Sequence, residues 1–487
     1  MGSFKNDLLS GVFWSAIEKY SGLIINLVVS MILARLLTPQ EFGVVAVANV
    51  IISFLQMFCT MGIGPAIIYR DDLSQKDLDS IFTFSIIMGS FFTIIFACCS
   101  WKIARFYENQ QLVPICLILC IQLFFASANM VPNALMAKHK LFKGIARRTV
   151  ILQFISGFVS IIAALNNFGI YSLLIAPVFT SIGIFFWNRC YFHVSIVRCF
   201  TIEPIKRIFS YSSYQLLFEI VNYFSRNLDK LIIGKCLSVS ELGYYEKSYR
   251  LMQQPLQYLT GVLNPVLQPV LNNFKNSKND ISCHYIGIIQ KIAMISFPIG
   301  ITLYFISPEI IILMFGYNWV ASIPVLKILS LSLPLQMIQA TSGAIFLVSN
   351  STRAQFWVGI RNTITTVAGF VVAIYYWGTI ESIAWAWDIT LLINFIITYY
   401  ILFYVILKRN VIILFKILVY PFFNLILLSL IAYFSEPIFE EVDVFLSLLG
   451  KLLIFCVITI LFLQLTNQFN VFRHVRTFFC SKTNKIS

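Results

Sequence analysis

Apolar runs long enough to cross a lipid bilayer recur along the chain, and no other feature constrains its fold as much. Leu112–Ala128 and Leu452–Leu463 hold no charged residue, and Gly11–Leu33 holds two. Over all 487 residues 59% are hydrophobic and only 11% charged, where soluble domains carry about 25% charged residues. A water-soluble fold cannot cover that much apolar surface. A bilayer replaces water as the solvent, and each crossing takes about 20 apolar residues. Backbone groups in hydrocarbon must pair among themselves, which leaves helices or a closed barrel. The runs lack the period-two alternation of barrel strands, so the expected fold is an all-α polytopic membrane protein.

Fourteen spans are expected, near 11–33, 43–69, 78–100, 112–136, 149–166, 169–192, 208–234, 243–272, 282–306, 322–348, 354–376, 382–407, 411–434 and 444–466. The first is too long for the apolar part of a signal peptide and reads as a retained span. An even number puts both termini on one side. The net charge of +14 sits mostly in short segments between spans, which favours a membrane topology signal over nucleic-acid binding. One set of connections holds twenty Lys and Arg residues, including Lys138, Lys140, Lys143, Arg147 and Arg148. The alternate set holds four, Arg35, Lys102, Arg105 and Lys235. The first set, with both termini, is therefore expected to be cytoplasmic.

The chain also contains a repeat. Ile32-Leu33-Ala34-Arg35-Leu36-Leu37-Thr38-Pro39-Gln40-Glu41-Phe42-Gly43 lies over Ile232-Ile233-Gly234-Lys235-Cys236-Leu237-Ser238-Val239-Ser240-Glu241-Leu242-Gly243 without gaps at an offset of 200. Each copy ends one span and opens the next, and six spans separate them, so the halves share one membrane orientation. Such a parallel repeat relates two lobes by an axis along the membrane normal. The expected organisation is an N-terminal lobe (1–192, spans 1–6), a basic cytoplasmic linker (193–207), and a C-terminal lobe (208–407, spans 7–12). Two appended spans (408–466) and a basic cytoplasmic tail (467–487) follow.

A charge at the centre of a membrane helix costs about 2.5–3.5 kcal/mol on insertion scales, so each one needs a reason. In the seventh span Glu219, Asn222, Arg226 and Asp229 follow steps of three and four along one helix face, with Lys230 beside them. The eighth repeats the pattern with Glu246, Arg250, Gln253 and Gln257, and Lys247 adjacent. By helical rise Arg226 and Arg250 lie about 10–12 Å below the outer boundary. Two arrangements satisfy them: the cations clasp one anion, or each pairs with an acid three or four residues away on its own helix. Lys291 and Arg361 lie about 10–13 Å from the inner boundaries, and Glu18 and Lys19 sit in the first span. Together they describe a net cationic cavity between the lobes. Its substrate-binding candidates are Arg226, Lys230, Lys247, Arg250, Lys291, Arg361 and Lys19. Glu219, Asp229 and Glu18 are candidate coupling carboxylates. The first half is more neutral, with Asn26 at the position of Arg226 and Val50 at that of Arg250.

Other chemistry finds little support. The scattered cysteines read as small apolar side chains, and Cys116 and Cys120, one turn apart, have no His or carboxylate nearby to complete a metal site. No phosphate-cradling GxxxxGK[ST] loop is present, and four dispersed histidines form no evident triad. Neither a cofactor nor a metal is expected. Prolines within spans, among them Pro132, Pro177, Pro255, Pro265, Pro269, Pro298 and Pro334, bend helices, whether for motion or for static packing.

Two blocks carry a family resemblance. Leu33–Gly43, and Asn227-Leu228-Asp229-Lys230-Leu231-Ile232-Ile233-Gly234 continuing through Leu242–Pro255, closely resemble the bacterial polysaccharide transporter family of the multidrug/oligosaccharidyl-lipid/polysaccharide exporter superfamily. The last third is recognisable only by its hydropathy. The resemblance implies a two-lobed flippase of the bacterial cytoplasmic membrane. It would carry a polyprenyl-diphosphate-linked glycan outward by alternating access, in contact with other polysaccharide assembly proteins. It supplies no catalytic residue. A cation-coupled multidrug antiporter of the same superfamily is the alternative, against which the cationic excess speaks. A membrane glycan polymerase is the third reading, and the short outer connections disfavour it.

Overall fold

The computed structural model describes residues 2–60, 63–197, 201, 220, 223–224, 226–274, 277–439 and 441–466. Among the described residues the chain is helical throughout, with no strand. Helices α1 (Gly2–Leu36), α2 (Pro39–Thr60), α3 (Ile63–Tyr69), α4 (Gln75–Phe106), α5 (Leu112–Ala128), α6 (Met130–Lys138), α7 (Phe142–Leu165) and α8 (Ser172–Tyr191) build the first half. Residues 226–236 form α9. Then come α10 (Val239–Asn272), α11 (Lys278–Phe305), α12 (Ser307–Phe315), α13 (Ser322–Gln339), α14 (Ser342–Val348), α15 (Thr352–Tyr376), α16 (Ile380–Tyr400), α17 (Ile412–Phe439) and α18 (Val444–Leu465).

Among the described residues eleven helical segments are long and apolar enough to cross a membrane, and α5 with α6, bent by 41° at Asn129, makes a twelfth when counted as one broken span. These twelve correspond to twelve of the fourteen expected spans. The seventh expected span lies largely outside the described residues. The eighth is present as the 34-residue α10, but its polar face makes it less hydropathic than a lipid-exposed crossing. α7 begins at Phe142, well before the expected start of the fifth span at residue 149. Arg148 is therefore not in a loop: it lies inside α7 with only 3% of its surface exposed. The excess of basic residues on one set of connections survives its removal.

Contacts divide the chain into two compact units, Met1–Glu246 and Lys247–Ser487, with the boundary inside α10. In the first unit α4 packs on α5, α5 on α8 and α7 on α8. In the second, α11 packs on α13, α13 on α16 and α15 on α16, the same three pairings one repeat later. The fourth and tenth spans are also both interrupted near one end, at Asn129 and at Ala340–Thr341.

The repeated block explains itself locally. Thr38 and Glu41 cap α2 reciprocally: the Glu41 amide donates to Thr38 Oγ1 at 3.4 Å, and the Thr38 amide donates to Glu41 Oε2 at 2.8 Å. At the twin positions the Glu241 amide donates to Ser238 Oγ at 3.1 Å and the Ser238 hydroxyl to Glu241 Oε2 at 3.3 Å. Gly43 and Gly243, one turn into α2 and α10, each lie against the opening turn of the other helix.

The segment 193–197 lies along α4. Gln75 Nε2 donates to the His193 carbonyl at 3.1 Å, and the amides of Ser195 and Val197 donate to Asp79 Oδ1 and Thr83 Oγ1 at 2.8 and 3.0 Å. Spacings of four put all three partners on one face of α4. In the second unit Pro334 cannot donate to the Ser330 carbonyl, and the α11 backbone approaches there. A Cβ on Gly300 would fall 2.9 Å from the Pro334 ring and 3.0 Å from that carbonyl oxygen.

The appended helices are tied down by both apolar and polar contacts. Leu428 and Ala432 of α17 and Phe455 of α18 bury against Ile301 and Ile306. Lys451 of α18 donates to Glu309 of α12 at 2.5 Å, and Ser447 donates to the same oxygen at 2.9 Å. Both charged side chains are only 9% exposed. Buried like this, they must pair, because an isolated charge in a low-dielectric surrounding is costly.

Candidate functional site

Charged residues of α9 and the start of α10 converge within the first unit. Asp229 is 1% exposed, and its carboxylate accepts from the Tyr245 hydroxyl at 2.9 Å and from the Lys230 amide at 2.8 Å. Lys230 Nζ lies 2.8 Å from Glu246. These contacts join α9 to α10 and leave the Arg226 side chain exposed. Among the described residues Arg226 has no hydrogen-bond or ion-pair partner, so Asp229 does not neutralise it. Glu219 and Asn222 lie outside the described residues.

Beyond the boundary in α10, adjacent cations face different surroundings. Lys247 is 3% exposed, with its ammonium 4.9 Å from the Phe315 ring centroid and 5.5 Å from that of Trp319. Such cation–π contacts strengthen when desolvated. Next to it the Ser248 hydroxyl donates to the Ser322 carbonyl at 2.8 Å, so this face of α10 is fastened to the first turn of α13. Arg250 is exposed, as is Gln257, while Gln253 donates to Gln336 of α13 at 3.2 Å. Lys247 and Arg250, three residues apart and only about 60° apart around the helix, nonetheless differ, the first buried and the second exposed.

The remaining expected residues are dispersed. Lys291 on α11 and Lys19 on α1 are exposed. Glu18 accepts from the Thr149 hydroxyl at 3.0 Å. Arg361 uses one guanidinium nitrogen for Asn362, the Asn394 carbonyl at 3.3 Å and Thr398 at 3.1 Å. Its Nε and Nη1 are buried without a partner among the described residues. Two donors of Arg361 are therefore unspent.

Three polar features were not anticipated. Arg148 donates to Asn188 and, at 3.1 Å, to Asn133, and Asn188 donates to Asn129 at 2.7 Å. The signal was three asparagines inside apolar runs, each needing a partner. The Glu309–Lys451 pair was foreshadowed only by a lysine in an apolar run. Asp388 of α16 is 9% exposed, and neither carboxylate oxygen meets a donor among the described residues. The neighbouring Ser332 hydroxyl donates instead to the Leu329 carbonyl at 2.7 Å.

Outside the spans, the Lys235 ammonium, 2.9 Å from Glu108, holds that exposed carboxyl below its ordinary range. It ties the end of α4 to the end of α9.

A helical membrane protein with duplicated pairings and cations inside its spans belongs to the transporter class. Residues 32–324, more than half of the chain, match the family of polysaccharide biosynthesis proteins, and the chain belongs to that family. The match contains both blocks that carried the resemblance and ends before the last third. The teichuronic acid biosynthesis protein TuaB of Bacillus subtilis (strain 168) is 26% identical over 437 residues, 89% of this chain and 90% of the relative. The lipopolysaccharide biosynthesis protein WzxC of Escherichia coli (strain K12) is 22% identical over 405 residues, 82% of each chain. Among solved structures, the lipid II flippase MurJ in an inward closed conformation superposes with a TM-score of 0.73. It is 14% identical, over 93% of this chain and 98% of that one, and the likeness is one of fold.

Proposed function

We propose that the chain is a flippase that moves a polyprenyl-diphosphate-linked oligosaccharide across the bacterial cytoplasmic membrane by alternating access, for cell-surface polysaccharide biosynthesis. The observation that carries this reading is the exposure of Arg226, Arg250 and Lys291, on α9, α10 and α11, which the sequence assigns to the seventh, eighth and ninth spans. Exposed cations at such depth fit an anionic ligand or a water-filled path, because lipid alone does not tolerate them. A diphosphate supplies the matching charge, and the names of TuaB and WzxC place those relatives in the assembly of surface glycans. Arg226, Arg250, Lys291, Arg361 and Lys19 bind the diphosphate or the path it follows. Lys230 and Lys247 orient α9 and α10 through Glu246 and the Phe315–Trp319 pair. Asp229 and Glu18, with Glu219, are the carboxylates available for ion coupling.

The excess of Lys and Arg on one set of connections supports fourteen crossings with both termini in the cytoplasm. The test is reconstitution of the full chain in liposomes with polyprenyl-diphosphate-linked glycans and, separately, with cationic dyes. Glycan movement without dye movement is the expected result. Dye movement without glycan movement overturns the proposal in favour of a multidrug antiporter.

A further inference from the structure

The short connection between α6 and α7, with the basic first turns of α7, borders a cavity of about 510 Å³, within the size range of small-ligand sites. His139, Lys140, Lys143 and Arg147 line it, and among the described residues no carboxylate does. All four side chains are exposed. Phe142 and Lys143 open α7, a 24-residue helix whose N-cap Leu141 offers no side-chain cap, so its first amides add donors and partial positive charge. Phe142 and Tyr191 supply an aromatic wall, and the Phe142 ring rests on Gly11 of α1.

Position gives this cavity its meaning. The ends of three apolar stretches meet at its rim: the apolar stretch of α1 begins at Gly11, Phe142 opens the fifth span and Tyr191 closes the sixth. Residues at the ends of three spans lie at the bilayer boundary, where lipid phosphates lie and where aromatic side chains settle. We propose that this cavity binds the phosphate-bearing head group of an anionic membrane lipid, at a site separate from the charges inside the spans. The cations and the α7 amides hold the phosphate, and Phe142 and Tyr191 lie against the apolar part below it. Basic pockets at the ends of membrane helices recognise such head groups. Two lipids carry this chemistry, a resident glycerophospholipid and the diphosphate of a polyprenyl carrier. The proposal stands on the cavity and does not depend on transport.

The test uses the full-length protein in detergent micelles, titrated with phosphatidylglycerol, with polyprenyl diphosphate, and with phosphatidylcholine and polyprenol as counterparts without net negative charge. Native mass spectrometry reads the bound lipid. The expected result is saturable binding of an anionic lipid that weakens roughly a hundredfold in Lys140→Gln/Lys143→Gln/Arg147→Gln. Lys102→Gln/Arg105→Gln, at the far end of α4, leaves binding unchanged. Loss confined to phosphatidylglycerol identifies a resident lipid, and loss confined to polyprenyl diphosphate identifies the carrier. Arg147→Gln alone, at an exposed position of α7, reads the same effect as a roughly fivefold loss if the triple variant does not fold. Binding by both variants equal to that of the unaltered protein overturns the proposal, as does equally tight binding of phosphatidylcholine.

Discussion

Gly43 and Val239 meet through their backbones: a Cβ added to Gly43 would stand 1.8 Å from the Val239 carbonyl oxygen. One added to Gly243 would stand 2.1 Å from the carbonyl oxygen of Pro39. Each glycine of the repeat lies against the first turn of the other copy. Membrane helices that approach this closely do so through small residues.

Gly43→Ala and Gly243→Ala are therefore expected to destabilise the protein. In an unobstructed helix the change would gain about 1 kcal/mol from propensity. Here the methyl meets backbone that cannot turn aside, and overpacking of about 1–3 kcal/mol outweighs that gain. Thermal aggregation of purified variants measures the sign. A rise in midpoint for either single variant would contradict the contact.

Lys451→Ala is expected to loosen α18, because it leaves the buried Glu309 carboxylate without its cation. Breaking a buried pair from one side costs about 3–5 kcal/mol, whereas replacing both partners with apolar residues is often neutral. Glu309→Leu/Lys451→Met should accordingly recover most of the loss. Limited proteolysis and thermal melting of the two variants in detergent distinguish them, and equal damage in both would refute the pairing argument.

Arg226→Ala and Arg250→Ala are expected to abolish glycan export while leaving the protein inserted at normal levels. Arg→Lys at either position keeps the charge but loses the planar fork, so partial export should return. Complementation of an export-deficient strain, with membrane levels measured in parallel, checks both. Full export in each alanine variant would remove these cations from the transport path.

Asp388→Asn is expected to raise thermal stability, since it removes a buried carboxylate that meets no donor among the described residues. If the same variant transports more slowly, the acid is retained for activity at a cost in stability. Melting temperature and liposome transport, measured on one preparation, report the two effects. Lower stability would show that the carboxylate is satisfied within the fold.

Hydropathy made most of the spans readable, because apolar length reports directly on bilayer thickness. The repeat was readable at Thr38–Gly43 and Ser238–Gly243 because capping and close packing dictate residue types locally. Pairings across the chain were not. Glu309 and Lys451 are 142 positions apart, and nothing in either neighbourhood names the other. Arg148 was assigned to a loop because a charge count cannot see where a helix starts. The sequence groups Lys247 with Arg250 as substrate-binding cations, and only the fold shows that one is enclosed by Phe315 and Trp319 while the other is exposed.

The reciprocal glycine contact has the form a two-fold axis produces in a homodimer, where residue i meets j and j meets i. In a true homodimer every substitution appears on both sides at once. Joining the copies in one chain lifts that restriction, so a position and its twin can diverge. Asn26 and Arg226 occupy twin positions, as do Val50 and Arg250. Charge has been placed on one side of an arrangement whose contacts at Gly43 and Gly243 are still shared by both.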